Sequence, residues 1–137
     1  MWIGNGGPCA ADLGKPGTTP SQVLFHELAH AYRDASGKFD QRQIIGTNAL
    51  YDDKEEFFAV VPSNIYATDP SNPTVMRELR ADHTGFSTLS PDLSTSRSFL
   101  SRPSNRNHLR ELFKEEPLLM NDLLRVSSYF NPLAELY

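Results

Sequence analysis

An H-E-x-x-H run at residues 26–30 constrains this chain more than any other feature, because it lies in a stretch that reads as a helix. Thr19 and Gln22 form a capping box at the start of that stretch. Gly37 is a typical residue just past a helix end. We therefore predict a helix over Pro20–Ala35. Since residues four apart share one helical face, the fold must hold both imidazoles on one side of this element.

The apolar side chains of the predicted helix are expected to face the protein core. His26 and His30 lie close to that apolar surface on a helical wheel, which suits a buried or half-buried site. The residues expected to form much of the apolar surface are Val23, Leu24, Leu28, Ala31 and Ala35.

Two histidines at this spacing can bind one metal ion. Zinc suits the arrangement because it accepts His nitrogen and carboxylate oxygen, and it keeps one position open for water. Glu27 follows the first histidine directly and can act on that water. The motif therefore predicts a zinc hydrolase, and among these a peptidase first.

Two histidines alone hold zinc weakly, so a third protein ligand is needed. The metzincin pattern requires a third histidine where this chain has Ser36, and the aspzincin pattern requires an aspartate where it has Leu50. A glutamate from a following helix remains. That helix is expected to begin at Asp52 or Asp53.

Glu55 and Glu56 are the candidates for the third ligand. If Asp52 is the N-cap, Glu55 falls at the third helical position and can turn back to the cap. Glu56 would then be free to face the first helix. Capping chemistry thus slightly favours Glu56, and Glu55 stays open as the alternative.

Composition limits the classes of protein that the chain can represent. A length of 137 residues suits one domain with a modest core. The net charge of −4 gives no electrostatic footprint for nucleic acid. No apolar run is long enough to predict a membrane span. Cys9 is the single cysteine, which excludes an intramolecular disulfide.

The rest of the chain predicts mostly helix and little strand. Pro62 is expected to end or kink the second helix. Residues 86–103 carry eight Ser or Thr and two Pro, so we expect a long loop there. The other expected elements are short strands at Met1–Ile3 and Ile44–Ile45, a helix from Asn72-Pro73 that ends before Gly85, and helices near 104–115 and 117–128.

Two groups of residues carry a family resemblance over roughly residues 20–90. Residues 26–37, followed by Asn48 and the Glu-Phe-Phe-Ala run at 56–59, resemble the gluzincin metallopeptidases, and among them the anthrax lethal factor-like enzymes. The segments 61–66 and 79–86 resemble metallopeptidase toxin domains attached to type VI secretion or Rhs-type proteins.

The gluzincin resemblance implies a role for each matching position. His26, His30 and Glu56 would hold Zn²⁺, and Glu27 would be the general base that passes a proton to the leaving amine. Asp34 follows His30 by four residues and would orient its imidazole.

The resemblance also implies a donor that stabilises the oxyanion. Tyr51 is the first choice, because lethal factor-like enzymes place a tyrosine shortly before the glutamate ligand, and His83 is the second choice. Val60 stands where related enzymes often have a supporting acid. Only 19 residues precede the first helix, where zincins usually place several strands.

The resulting expectation is a compact, minimal zincin-like α+β domain, predominantly α, over residues 1–137. Residues 1–19 would form a loop or a truncated N-terminal boundary. The resemblance implies zinc-dependent peptide-bond hydrolysis by a secreted bacterial effector, cytoplasmic before delivery into a target cell. Its partners would be a protein or peptide substrate and a cognate immunity protein. A cell-wall zinc amidase and a catalytically silent binding module are the alternatives.

Overall fold

The computed structural model describes residues 19–42, 51, 53–71, 79–80, 88–89 and 93–137. Within those ranges, helices dominate, which confirms a predominantly helical α+β domain. The elements are helices α1 (Pro20–Ala35) and α2 (Lys54–Ala67), strands β1 (Leu79–Arg80) and β2 (Thr88–Leu89), and helices α3 (Leu93–Ser101), α4 (Pro103–Glu115), α5 (Pro117–Leu124) and α6 (Pro132–Leu136).

Helix α1 has the predicted bounds, and both of its ends are capped. The Thr19 side chain accepts a hydrogen bond from the backbone N–H of Gln22. At the other end, Gly37 adopts a positive φ of 71°. The backbone N–H groups of Gly37 and Lys38 donate to the carbonyls of Asp34 and Arg33, which is a Schellman motif. Local capping chemistry therefore fixes the length of the helix that carries the two histidines.

The predicted inner face of α1 is wrong. Leu24 and Leu28 are 44% and 55% exposed, Ala31 and Ala35 are also exposed, and Val23 is only half-buried. The helix instead buries Gln22, His26, Ala29 and Arg33. This orientation is stable because the charged group among them has buried partners of opposite charge, so its desolvation is compensated. Hydrophobic patterning alone could not reveal those partners.

Helix α2 continues through Pro62 to Ala67, so of the two expected effects, an end or a kink, the end is wrong. Proline removes one backbone hydrogen bond and crowds the preceding turn, at a cost of about 3 kcal/mol. Burial on both sides of Pro62 offsets that cost, since Phe57, Phe58 and Ile65 are all fully buried. Tertiary packing therefore overrides the local signal.

The N-cap of α2 is Asp53, whose carboxylate accepts from the backbone N–H of Glu56 at 2.8 Å. We expect Asp53→Ala to lower the free energy of unfolding by about 1 kcal/mol, because one orphan backbone donor loses its partner. Chemical denaturation monitored by circular dichroism measures this change. Asp53→Ser is the matched control, since serine also caps, and it should lose much less. Equal losses in both variants would contradict the capping role.

Expectations for the middle of the chain need correction. The helix predicted to start at Asn72-Pro73 is wrong at Leu79–Arg80, which forms β1 and pairs antiparallel with β2. The Asn64 side chain explains this choice, because it donates to the Arg80 carbonyl at 2.7 Å and accepts from its N–H at 3.2 Å. These long-range bonds hold the segment extended against α2.

The loop expected over residues 86–103 is wrong where β2 and α3 form. Serine and threonine favour turns locally, but α3 packs Phe99 and Ser96 into the interior. Helix α4 begins at Pro103 and α5 ends at Leu124, earlier than predicted, and α6 was not predicted. The strands predicted at Met1–Ile3 and Ile44–Ile45 lie outside the described residues.

The hydrophobic core lies between α2 and the C-terminal helices, with Leu79 of β1 also buried in it. Helix α1 covers the other side of α2, so the histidines sit at the α1–α2 interface and not in the main core. No helix among the described residues is long and apolar enough to cross a membrane. The fully buried apolar members of the core include Phe57, Val60, Ile65, Leu79, Leu109, Leu112, Met120, Phe130 and Leu133.

Candidate metal centre

His26 and His30 of α1 converge with Glu56 of α2. The Nε2 atoms of the two imidazoles lie 2.9 Å apart. Nε2 of His30 is 3.1 Å from Oε1 of Glu56, and Nε2 of His26 is 3.5 Å from Oε2 of the same carboxylate. One ligand atom from each residue therefore falls within 4.8 Å of the others. These three side chains form a group that could hold a metal ion.

The spacing of these atoms fits a small tetrahedral cation. Ligands bound to zinc at about 2.0–2.1 Å with tetrahedral angles lie about 3.3 Å from one another. The two imidazole nitrogens lie 2.9 Å apart, and each lies 3.1 or 3.5 Å from its nearer Glu56 oxygen, Oε1 for His30 and Oε2 for His26, so all three distances are close to that value. The donor set of two imidazole nitrogens and one carboxylate oxygen also matches what zinc accepts. The residues present therefore fit the metal.

The site is enclosed but not sealed. The side chain of His26 is 5% exposed, while those of Glu56 and His30 are 14% and 19% exposed. His30 also contacts Phe39 edge-on, with ring centroids 6.0 Å apart. His30 is thus the most solvent-accessible of the three side chains.

The electrostatic environment separates the two imidazoles. Burial lowers the pKa of His26, and the positive charges of His30 and Arg80 act in the same direction against the opposing effect of Glu56. Burial also disfavours the charged form of His30, but Glu55 and Glu56 outweigh it and raise the pKa of His30 to about 9. Burial therefore favours the neutral form of His26, whereas the two carboxylates favour the charged form of His30.

Glu55 differs from its expected role as a residue that turns back to the N-cap of the second helix. The N-cap is Asp53 and not Asp52, so Glu55 does not occupy the third helical position and does not return to the cap. Its carboxylate faces Nδ1 of His30 at 3.5 Å, and it accepts two bonds from Nε of Arg33 at 3.1 and 2.8 Å. Burial raises the pKa of Glu55, but His30, Arg33 and the backbone N–H of Asp40 outweigh it and lower the pKa.

A carboxylate behind a histidine ligand fixes the ring and its tautomer. Glu55 lies on the Nδ1 side of His30 in ion-pair contact at 3.5 Å, although the two atoms do not form a hydrogen bond in this arrangement. Asp34, which was expected to orient this imidazole, is exposed. The partner of Glu55 is Arg33, and its position could be read from the sequence. Arg33 follows His26 by seven residues and His30 by three, so it lies on the same face of the helix.

The other expected site residues have different surroundings. Glu27 is exposed, one position around the helix from His26. Tyr51 is 6% exposed and belongs to the hydrophobic core, where it contacts Phe57 edge-on at 4.9 Å. His83 lies outside the described residues.

Comparison with known protein families gives a match. The family model of Peptidase_M91, described as effector protein, matches residues 7–85, which is more than half of the chain and includes His26, Glu27, His30 and Glu56. Neither a curated protein nor a solved structure matches the chain. The chain belongs to the Peptidase_M91 family of effector proteins.

Proposed function

We propose that this chain is a zinc-dependent peptidase whose metal is held by His26, His30 and Glu56. The convergence of these three donors in a member of a peptidase effector family is the observation that carries the proposal. A zinc ion bound there would supply a water that ionises near neutral pH and a Lewis acid for the scissile carbonyl.

Glu27 is proposed as the general base and then the general acid. Its carboxylate would take a proton from the attacking water and deliver it to the leaving amine. Two features support this role: Glu27 is adjacent to His26 on α1, and it is exposed to solvent. A residue that transfers protons to substrate must remain accessible, whereas the ligands need only face the metal.

The oxyanion donor stays a prediction. Tyr51 packs in the core against Phe57, so its aromatic ring contributes to packing as well. His83 remains the second candidate. Asp34 is exposed, and we propose that Glu55 takes over the orienting role that was expected of it.

The effector family supports a protein substrate met after delivery into a target cell. The narrower resemblance to lethal factor-like enzymes and to type VI or Rhs-associated toxins stays a prediction. The same holds for a cognate immunity protein.

A parallel digestion separates the proposed reaction from its alternatives. The purified chain, supplied with zinc, is incubated with denatured protein and with peptidoglycan, and the products are analysed by mass spectrometry. We expect new peptide termini in the protein sample and none after treatment with 1,10-phenanthroline. Amide cleavage in peptidoglycan alone would favour an amidase. A protein that binds zinc and cleaves neither substrate would favour a silent binding module.

A further inference from the structure

The C-terminal helices reach the candidate metal centre through one buried arginine. Nη2 of Arg33 donates to Oε2 of Glu115 at 3.0 Å, and its Nη1 lies 3.5 Å from Oε1 of Glu116. These acids stand at the junction of α4 and α5. Nε of the same guanidinium binds both oxygens of Glu55. Arg33 therefore links the α4–α5 junction to the carboxylate that faces His30.

This link is buried along most of its length. The side chains of Arg33, Glu55 and Glu116 are 2%, 1% and 1% exposed, whereas that of Glu115 is 30% exposed. The contact between Nη1 and Glu116 is an ion pair without a hydrogen bond. Removing one charge of a buried pair leaves the other charge less compensated. The guanidinium fork also has a fixed plane, so its several partners determine its orientation together.

Further contacts hold the arginine in place. Its Nη2 also donates to the Lys38 carbonyl at 2.7 Å, and its guanidinium carbon lies 4.4 Å above the ring of Phe58. Nζ of Lys38 lies 3.4 Å from Oε2 of Glu116, and the Ser36 hydroxyl donates to Oε1 of Glu116 at 3.4 Å. The end of α1 and the start of α5 thus form one network around Arg33.

We propose that Arg33, held by Glu115 and Glu116, is a positioning residue for the metal centre. It keeps the Glu55 carboxylate facing Nδ1 of His30, so that the imidazole presents Nε2 to the metal. The C-terminal helices, which lie outside the family match at residues 7–85, thereby contribute to the site without touching it. This inference rests on the proposed zinc site.

Zinc affinity and the His30 ring proton together test the inference. Glu116→Gln keeps the size of the side chain and removes its charge, and Arg33→Lys keeps the charge and removes the fork. The zinc dissociation constant is measured by competition with a chromophoric chelator. Residues behind a metal ligand typically affect affinity by 10–100-fold, so we expect about tenfold weaker binding for Arg33→Lys and about three- to tenfold for Glu116→Gln. Circular dichroism establishes that each variant is folded.

Glu111→Gln is the matched control. Glu111 lies on α4, about one turn before Glu116, and forms an ion pair with Lys54 at 2.7 Å nearer the surface. Zinc affinity should therefore stay within about twofold of the wild type, since surface pairs contribute little. If Glu111→Gln weakened zinc binding as much as Glu116→Gln, the inference would be overturned, because the loss of any nearby negative charge would then explain the weaker binding.

Nitrogen-15 NMR of the zinc-loaded protein gives a readout that a purely structural role would not move. We expect a protonated Nδ1 on His30 in the wild type, with faster exchange of that proton in both variants. Folded variants with lower melting temperatures but unchanged zinc affinity and unchanged proton exchange would overturn the inference. A wild-type chain that binds no zinc would instead remove the proposed function itself, so the two failures are distinguishable.

Discussion

Glu27→Gln is expected to abolish peptide hydrolysis while zinc remains bound. Glutamine has nearly the same shape as glutamate but cannot accept and return a proton. General acid–base catalysis contributes about 10²–10⁴-fold in rate, so kcat/KM should fall by at least that range. Zinc content should not change, because Glu27 is not one of the three convergent donors. Steady-state assays on a cleaved peptide, together with elemental analysis, measure both quantities.

The exposure of Glu27 makes this variant easy to interpret. Surface substitutions usually change stability by less than about 0.5 kcal/mol, so the melting temperature should match the wild type. Asp122→Asn, an exposed acid on α5, is the control for loss of one negative charge and should retain full activity. A Glu27→Gln protein that holds zinc and still hydrolyses peptides at the wild-type rate would exclude Glu27 as the base.

Glu56→Gln is expected to weaken zinc binding more than a substitution of any residue that lies behind the ligands. It removes the carboxylate that lies 3.1 Å from Nε2 of His30 and 3.5 Å from Nε2 of His26, which leaves two imidazoles. Since residues behind a ligand already affect affinity by 10–100-fold, the loss should exceed about 100-fold. The cap from Asp53 uses the backbone N–H of Glu56, so the helix start is retained. Chelator competition measures the affinity.

Glu55→Gln is the matched comparison, because Glu55 was the open alternative for the third ligand. Its carboxylate faces Nδ1 of His30 and not the Nε2 side. We therefore expect an intermediate loss of affinity, about 10–100-fold, with zinc still stoichiometric at saturating concentrations. The reverse order, with Glu55→Gln the more damaging, would assign the third ligand to Glu55.

The sequence predicted those structural features, such as helix ends, that depend only on residues close together in the chain. The bounds of α1 follow from Thr19, Pro20 and Gly37, whose effects act within one turn of the chain. The rotation of α1 could not be predicted, because its inner face is polar. Burial of that face depends on Glu55 and Glu116, which lie far from Arg33 in the chain and neutralise its charge. Pro62 likewise stays helical because the surrounding core compensates for it.

The same distinction applies to the candidate site, where features within one helix were predictable and contacts between helices were not. The spacing of His26 and His30 is a property of one helix, and the exclusion of the patterns that fail at Ser36 and Leu50 left a glutamate of the second helix, either Glu55 or Glu56. The capping argument that favoured Glu56 assumed Asp52 as the N-cap, whereas Asp53 caps α2. The choice of Glu56 as the third ligand stays a prediction. The position of Glu55 behind His30 required the packing of α1 on α2.

The metal content of the purified chain tests the central claim most directly. The protein is purified without chelator, and zinc is measured by elemental analysis beside a His26→Ala/His30→Ala variant. We expect about one zinc per wild-type chain, as in other sites with three protein ligands, and essentially none in the variant. A wild-type chain that binds no zinc even after its addition, or a variant that keeps its zinc, would contradict the account.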